Sequence, residues 1–346
     1  MVTLKDIAAR LNISPMAVSK ALRDAPDISE GTKLRVRKEA EHLGYIPNEH
    51  ARGLKGARTR LWGVMVQEIN DPRTAGMVKG LEDVAVEEGC QILLSSSKSS
   101  EQREMAQLMR MIERKVEVIF LQPLVRMGHR HPVFELTLKY STPVVFMEHY
   151  PADAANFQHV TWAVADSYHA GRLAAGHLHA QGHRDILYFS GPPTASSTAD
   201  HLSGFKKGME DCGIGYDEAK VFLCGLNRTA GQETTVRAMA ERLGFTAVVC
   251  ADDAAALGVI ETLLKEGFKV PDDIVVVGYG NGLLAECAPV PLTTVSMPQV
   301  ELGVAAARLG ILQRAGLLSG KQKRAEPRVL PVEWLARRST AASRPS

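Results

Sequence analysis

The tightest grouping of side chains with chemistry to offer lies near the start of the sequence. The run Ser14-Pro15-Met16-Ala17-Val18-Ser19-Lys20-Ala21-Leu22 turns a lysine, a hydroxyl and a thioether to one side of a predicted helix, with Val18 and Leu22 on the other. Lys20 in such a setting donates to guanine O6 and N7 or to a phosphate. Ser19 and the nearby Thr3 donate to a phosphate or a base edge, and Met16 offers apolar contact to a thymine methyl. Ser14 is a good N-cap, and Pro15 suits the first helical position, where its missing N–H costs nothing.

Other groupings promise less. His177, His179 and His183 form an H-x-H-x3-H string in which the last two stand one helical turn apart. No carboxylate or cysteine joins them, so a metal site is not expected. Asp252-Asp253 resembles a catalytic pair on paper, but adjacent residues at a helix start diverge, and aspartate there caps the helix or meets its dipole. Gly278-Tyr279-Gly280-Asn281-Gly282 lacks the spacing and the following acid of a dinucleotide fingerprint. No Ser/His/Asp or Cys/His grouping stands out, so nothing requires an enzyme or a cofactor. Five scattered cysteines with no CxxC argue for thiols in a reducing compartment. There is no apolar leader-like stretch at the start and no window approaching a membrane span, so a cytoplasmic, nucleoid-associated protein without a membrane partner is expected.

The elements that must position the first grouping are short helices. Leu4, Ile7, Ala8 and Leu11 share one face of a predicted helix, Asn12-Ile13-Ser14 breaks it, and the run from Pro15 begins the next. Two helices at this spacing match a DNA-binding helix-turn-helix, whose second helix enters the major groove. Ser29 caps a third helix, Glu30 to Leu43, with Val36, Ala40 and Leu43 inward and Gly44 as its terminator. Charge agrees with placement. Residues 1–60 hold five Lys and seven Arg against three Asp and four Glu, whereas the whole chain of 346 residues is only +2. A polyanion would therefore meet the head. A weak helix follows, within Glu49 to Gly56, too short to be stable alone and suited to folding on contact with DNA.

Thr3-Leu4-Lys5-Asp6-Ile7-Ala8, Ser14 with Val18-Ser19 and Leu22, Gly44-Tyr45-Ile46-Pro47-Asn48 and Ala51-Arg52-x-Leu54 together resemble the lactose/purine-repressor (LacI-type) family of bacterial transcription regulators. The resemblance extends over nearly the whole chain. It implies an effector-controlled repressor that binds a pseudo-palindromic double-stranded operator as a homodimer; no heptad repeat supports a larger assembly. It also implies that Thr3, Ser14, Pro15, Met16, Ser19 and Lys20 meet the operator. Leu54 would wedge into the minor groove at its centre, with Asn48, Ala51 and Lys55 beside it. The alternatives from other classes are a solute-binding module of transport, a cytoplasmic enzyme on a similar scaffold, and an activator or effector-independent regulator of the same fold.

From Leu61 onward, short apolar runs alternate with amphipathic helices, which means βαβ units and parallel sheets. Strands are expected at Leu61–Val66, Gln91–Leu94, Val116–Leu121, Pro143–Met147, Asp185–Phe189, Lys220–Leu223, Ala247–Cys250 and Ile274–Val277. Intervening helices include Ala75–Glu88, Tyr168–Ala180, Thr198–Asp211 and Ala254–Lys265. The fold class is α/β: a helix-turn-helix head (1–46), a hinge helix and linker (47–60), then two doubly wound lobes. The resemblance makes those lobes similar to periplasmic sugar-binding proteins, with 61–163 and 295–324 in one lobe and 164–294 and 325–340 in the other. Three crossings are expected near Ala163–Ala165, Leu292–Val295 and Arg324–Pro327. The polar tail from Arg337 to Ser346 is expected to be disordered.

Aligned with the family's pocket positions are Arg73, Thr74, His149, Asp166, His201, Leu226, Asp253 and Asn281. His201 stands where sugar-binding relatives place an arginine, and Gly280 where they place an acid. Both changes remove charged clamps on sugar hydroxyls. The effector is expected to be a small metabolite, a sugar or a sugar acid, the acid being held by Arg73 or Arg228; a cleft without ligand control is the other reading.

Overall fold

Three short helices form the first unit of the computed structural model, which describes residues 2–45, 58–126, 131–320 and 324–341. The chain divides into two units, Met1–Thr59 and Arg60–Ser346. In the first, α1 (Leu4–Leu11), α2 (Pro15–Leu22) and α3 (Glu30–His42) close over Ile7, Ala8, Val18, Ala21, Val36 and Ala40. Asn12 ends α1 in the left-handed region at φ 55°, a conformation asparagine tolerates, and this starts the tight turn into α2. Asn48, Ala51, Leu54 and Lys55, the expected hinge contacts, lie outside the described residues.

The second unit holds two six-stranded sheets. The first contains β1 (Leu61–Val66), β2 (Gln91–Ser96), β3 (Ile119–Leu121), β4 (Val144–Met147) and β5 (Val160–Ala165). Its order is β2-β1-β3-β4-β5, extended by β11 (Arg328–Leu330) beyond β5, and every pair is parallel. The second contains β6 (Ile186–Ser190), β7 (Val221–Leu223), β8 (Ala247–Cys250), β9 (Val275–Gly280) and β10 (Thr293–Ser296). Its order is β7-β6-β8-β9-β10, and β12 (Glu333–Leu335) pairs antiparallel with β10. The crossover helices that bear on the cleft are α4 (Pro72–Glu87), α7 (Ser167–Ala180), α8 (Ser196–Asp211), α10 (Asp253–Lys265) and α12 (Gln299–Leu318), in a numbering that leaves α5 for Glu101–Glu113, α6 for Val133–Tyr140, α9 for Arg228–Ala240 and α11 for Leu283–Cys287. All of β5 and β9 is buried, as strands covered on both faces must be.

Several expectations shift. The second crossing follows Ser296 instead of lying within Leu292–Val295, because β10 belongs wholly to the second sheet. The third falls between Leu330 and Glu333, not at Arg324–Pro327, because β11 pairs with β5 before the chain crosses. Helix α4 begins at Pro72, not Ala75, since Asp71 caps it and Pro72 fills its first position. The strand expected at Val116–Leu121 is confined to Ile119–Leu121.

The tail is also corrected. Ser339 and Thr340 are buried against the second lobe. The Ser339 hydroxyl donates to the Val276 carbonyl (2.5 Å) and accepts from the Thr293 N–H (2.8 Å), while the Val276 N–H donates to the Ser339 carbonyl (3.1 Å). Polar composition misleads here because the Ser339 hydroxyl satisfies backbone groups of β9 and β10 and the Thr340 hydroxyl bonds that of Thr293. Residues 342–346 lie outside the described residues.

Candidate functional site

In the head, the second helix is set by the local signals its sequence carries. The Ser14 hydroxyl accepts from the Ala17 N–H at 3.1 Å, and Pro15 follows as the first helical residue. Val18 and Ala21 are fully buried, which turns Met16 out to 68% exposure and leaves Ser19 and Lys20 half-exposed. Lys20 pairs with Asp27 in the following loop. Thr3 caps α1 and binds Asp6: its N–H and hydroxyl both donate to the Asp6 carboxylate, at 2.7 and 2.8 Å. These hydrogen bonds of Thr3 hold the Asp6 carboxyl below the usual carboxylate range. Met16, Ser19 and Lys20 thus line one exposed helix face, the arrangement that allows base-edge contact in a major groove.

In the body, strand order reverses between β1 and β3 in one sheet and between β6 and β8 in the other, which places ligand crevices at those carboxyl ends. Arg73, at the start of α4, lies there. Its Nη1 is 3.0 Å from Asp252 of the second lobe and 3.3 Å from Glu148 of the first, while Nη2 reaches Asp71 at 2.8 Å. Burial opposes its charge, but Asp252, Glu148 and Asp71 outweigh that and raise its pKa well above the ordinary value. Burial likewise acts to raise the Asp71 carboxyl, and the hydrogen bonds and charge of Arg73 bring it below normal. Asp252 is raised by burial, with Arg73 only partly offsetting it. It also caps α10, accepting from the Ala254 and Ala255 N–H groups at 2.8 and 3.2 Å. Asp253 accepts from the Thr294 hydroxyl (2.6 Å) and the Gly282 N–H (2.9 Å), yet burial pushes it up to about 6.

The residues expected in the pocket do not all converge. Arg73, Thr74 and Asp253 gather at the crevice, Thr74 donating to Gln122 at 3.4 Å. His149 is buried beside it: its Nε2 lies 2.8 Å from the Pro123 carbonyl, and burial lowers its pKa. Asp166 caps α7, accepting from the His169 N–H at 2.8 Å. His201 points into the second lobe's core, its Nδ1 2.5 Å from the Tyr188 hydroxyl, and burial lowers its pKa to about 4. Leu226 packs near Gly191, and Asn281 is held by Arg337 at 2.8 Å. Arg228 pairs with Glu261 at 2.6 Å on an exposed face. Arg73 and Arg228 are thus each paired with carboxylates of the chain itself.

Open volume lies next to the crevice: a cavity of about 530 Å³ lined by Pro123, Arg126, His149, Tyr150, Pro193 and Ser196 among others. First-lobe loops after β3 and β4 face the start of second-lobe α8 across it, and the Tyr150 N–H donates to the Ser196 hydroxyl at 3.0 Å. Sequence reasoning missed Asp71, Gln122, Glu148, Asp252, Tyr150 and Ser196 as cleft residues. Asp71-Pro72 carried a readable cap signal; Glu148 had none, since its φ of 69° is visible only in the fold. In the histidine string, the His177 ring lies tilted 4.2 Å from that of Trp334 and the His183 Nδ1 is 2.9 Å from the Thr246 hydroxyl; among the described residues no three His, Cys, Asp or Glu are placed so as to hold a metal ion.

Residues 3–48 match the model for bacterial regulatory proteins of the lacI family, and residues 175–340 match a periplasmic binding protein-like domain. The chain belongs to the lacI family. It is a transcriptional regulator with a DNA-binding helix-turn-helix head and a periplasmic-binding-like body. Similar lacI-type proteins include the transcriptional regulator DegA of Bacillus subtilis, 28% identical over 98% of both chains. The transcriptional repressor CytR of Escherichia coli is 27% identical over 98% of this chain and 96% of its own. Among solved structures, the regulator CelR in complex with cellobiose aligns with a TM-score of 0.72 at 26% identity, covering 98% of this chain and all of that one. The lac repressor dimer bound to operator and the anti-inducer ONPF shares the fold, with a TM-score of 0.83 at 23% identity over 99% of each chain. Among the described residues of this lacI-family chain, no helix is long and apolar enough to cross a membrane.

Proposed function

We propose that this lacI-family chain is an effector-controlled repressor that binds a pseudo-palindromic operator as a homodimer. Its α2 reads each half-site through Met16, Ser19 and Lys20, with Thr3, Ser14 and Pro15 at the groove edge. Asn48, Ala51, Leu54 and Lys55 grip the operator centre. The observation that carries the reading is the exposed Met16–Ser19–Lys20 face on a helix fixed by a cap and a buried Val18–Ala21 seam. A small metabolite, of the sugar or sugar-acid kind, binds between the lobes in the cavity beside His149 and Ser196, whose volume suits such a ligand. Similarity to a cellobiose-bound regulator and to an operator-bound dimer supports both halves. The metabolite changes DNA affinity only by its differential affinity for the two body states.

Selection of bound sequences from a random DNA pool, followed by titration of the selected site, tests this. Lys20→Ala is expected to weaken the selected site by roughly 1–3 kcal/mol where the contact is bidentate to a base. Leu54→Ala is expected to abolish bending at the site centre while non-specific binding persists. Failure to enrich any two-fold symmetric sequence would overturn the proposal. A thermal-shift screen of sugars, sugar acids and nucleobases, with the best compound then tested on the selected site, identifies the effector.

A further inference from the structure

The crevice at the two switch points already holds a cation, and it is part of the chain. Arg73 links acids across the lobes: Asp71 and Glu148 belong to the first lobe, Asp252 to the second. The acceptors are preset. Glu148 sits at φ 69°, a region costly for a residue other than glycine, and the Gln122 amide donates to its second oxygen. Gln122 is itself fixed, its carbonyl oxygen accepting from the Gln67 N–H at 3.1 Å. Asp252 is oriented by two amides of α10. Opposite the arginine stem, Gly280 leaves the room a side chain would take: a Cβ there would stand 3.5 Å from Arg73 Cδ and 3.4 Å from an Asp253 oxygen. Neither Arg73, Glu148 nor Asp252 lines the open cavity. A planar cation with bidentate donors, held among oriented carboxylates, is how a guanidinium ligand is bound.

We propose that Arg73 is a tethered ligand: its guanidinium fills the interlobe crevice and holds the cleft shut without a small molecule, so the crevice is a guanidinium site satisfied in cis. The inference rests on the reading of the cleft as the control point of the regulator. Without Arg73, three carboxylates face one another across the lobes with no countercharge, and the cleft opens. An effector in the neighbouring cavity acts on a cleft that is closed at rest, and it works by favouring or opposing the state in which Arg73 lets go.

The Tyr150 N–H donates across the cleft to Ser196 and so reports closure directly. Hydrogen exchange on the full chain is expected to show that Arg73→Ala speeds exchange at Tyr150 by about tenfold while β8 keeps its protection. Methylguanidinium chloride at roughly 20 mM is expected to restore Tyr150 protection in that variant, whereas sodium chloride at equal ionic strength does not. Asp252→Asn, which keeps the capping oxygen and loses the charge, is expected to open the cleft likewise and to be unresponsive to methylguanidinium. Unchanged Tyr150 exchange in both variants, or equal effects of the two salts on Arg73→Ala, overturns the proposal. If Arg73→Ala does not fold, Asp252→Asn alone decides: faster exchange at Tyr150 supports the latch and unchanged exchange refutes it. Neither measurement involves DNA, so failure here leaves the regulator reading intact, and failure to select an operator leaves the latch intact.

Discussion

His201 shows how one side chain changes meaning with its surroundings. By sequence position it is a cleft residue; in the fold it is sealed against Tyr188 and Tyr279. Its imidazole is neutral when folded because burial lowers its pKa from 6.5 to about 4. Between those values the unfolded chain binds a proton that the native chain does not, so the stabilisation is complete above pH 6.5 and is lost as pH falls toward 4. From pH 7 to pH 5 the loss is about 2 kcal/mol for this group. Asp253, raised to about 6, acts in the opposite direction, gaining stability as pH falls through that value. His201→Gln keeps a hydrogen-bonding side chain and removes the titration, so urea midpoints at the two pH values are expected to fall further for wild type than for the variant. Equal falls would place the proton elsewhere. At the head, the types of Met16 and Lys20 and their outward direction were readable from local periodicity alone. The Lys20–Asp27 pair was not, because the loop carrying Asp27 has no period to read.

At the scale of elements, what local chemistry marks was readable and what packing alone decides was not. Caps at Ser14, Ser29 and Asp252 and the single apolar stripe of α1 announce themselves in sequence. Helix α12 does not: its apolar residues spread around the axis because it packs against α4 and the first sheet, so no single stripe distinguishes it. Strand β5 carries no alternation to mark it as a strand, because it is buried on both faces. Glycine decides how closely helices approach. A Cβ at Gly204 of α8 would stand 1.8 Å from the Tyr168 carbonyl of α7, backbone that cannot move aside. Gly204→Ala is therefore expected to separate α7 from α8 and to destabilise the second lobe by about 3 kcal/mol or more. Its check is the urea midpoint read by circular dichroism, against Gly176→Ala, where a Cβ meets nothing within 4 Å.

At the scale of the whole molecule, the last residues close both lobes. Strand β11 finishes the first sheet, β12 finishes the second, and Ser339 and Thr340 satisfy the buried edge around Val276 and Thr293. Ending the chain at Ala336 is expected to cost at least about 3 kcal/mol, since several buried backbone and hydroxyl groups lose their partners. Thermal denaturation of the shortened and full chains side by side checks the loss. The sequence by itself determined the helix-turn-helix head, the α/β class of the body, the basic charge of the head and the identity of its outward helix face. Each of these rests on spacing within a few turns or strands, where period and cap chemistry act locally. Tertiary structure alone decided which strands end each sheet, that Ser339 and Thr340 are buried, that His201 is core, and that Arg73 is matched by acids from both lobes. Those depend on residues as far apart as Arg73 and Asp252 meeting across a cleft, and no local pattern of residues encodes that meeting.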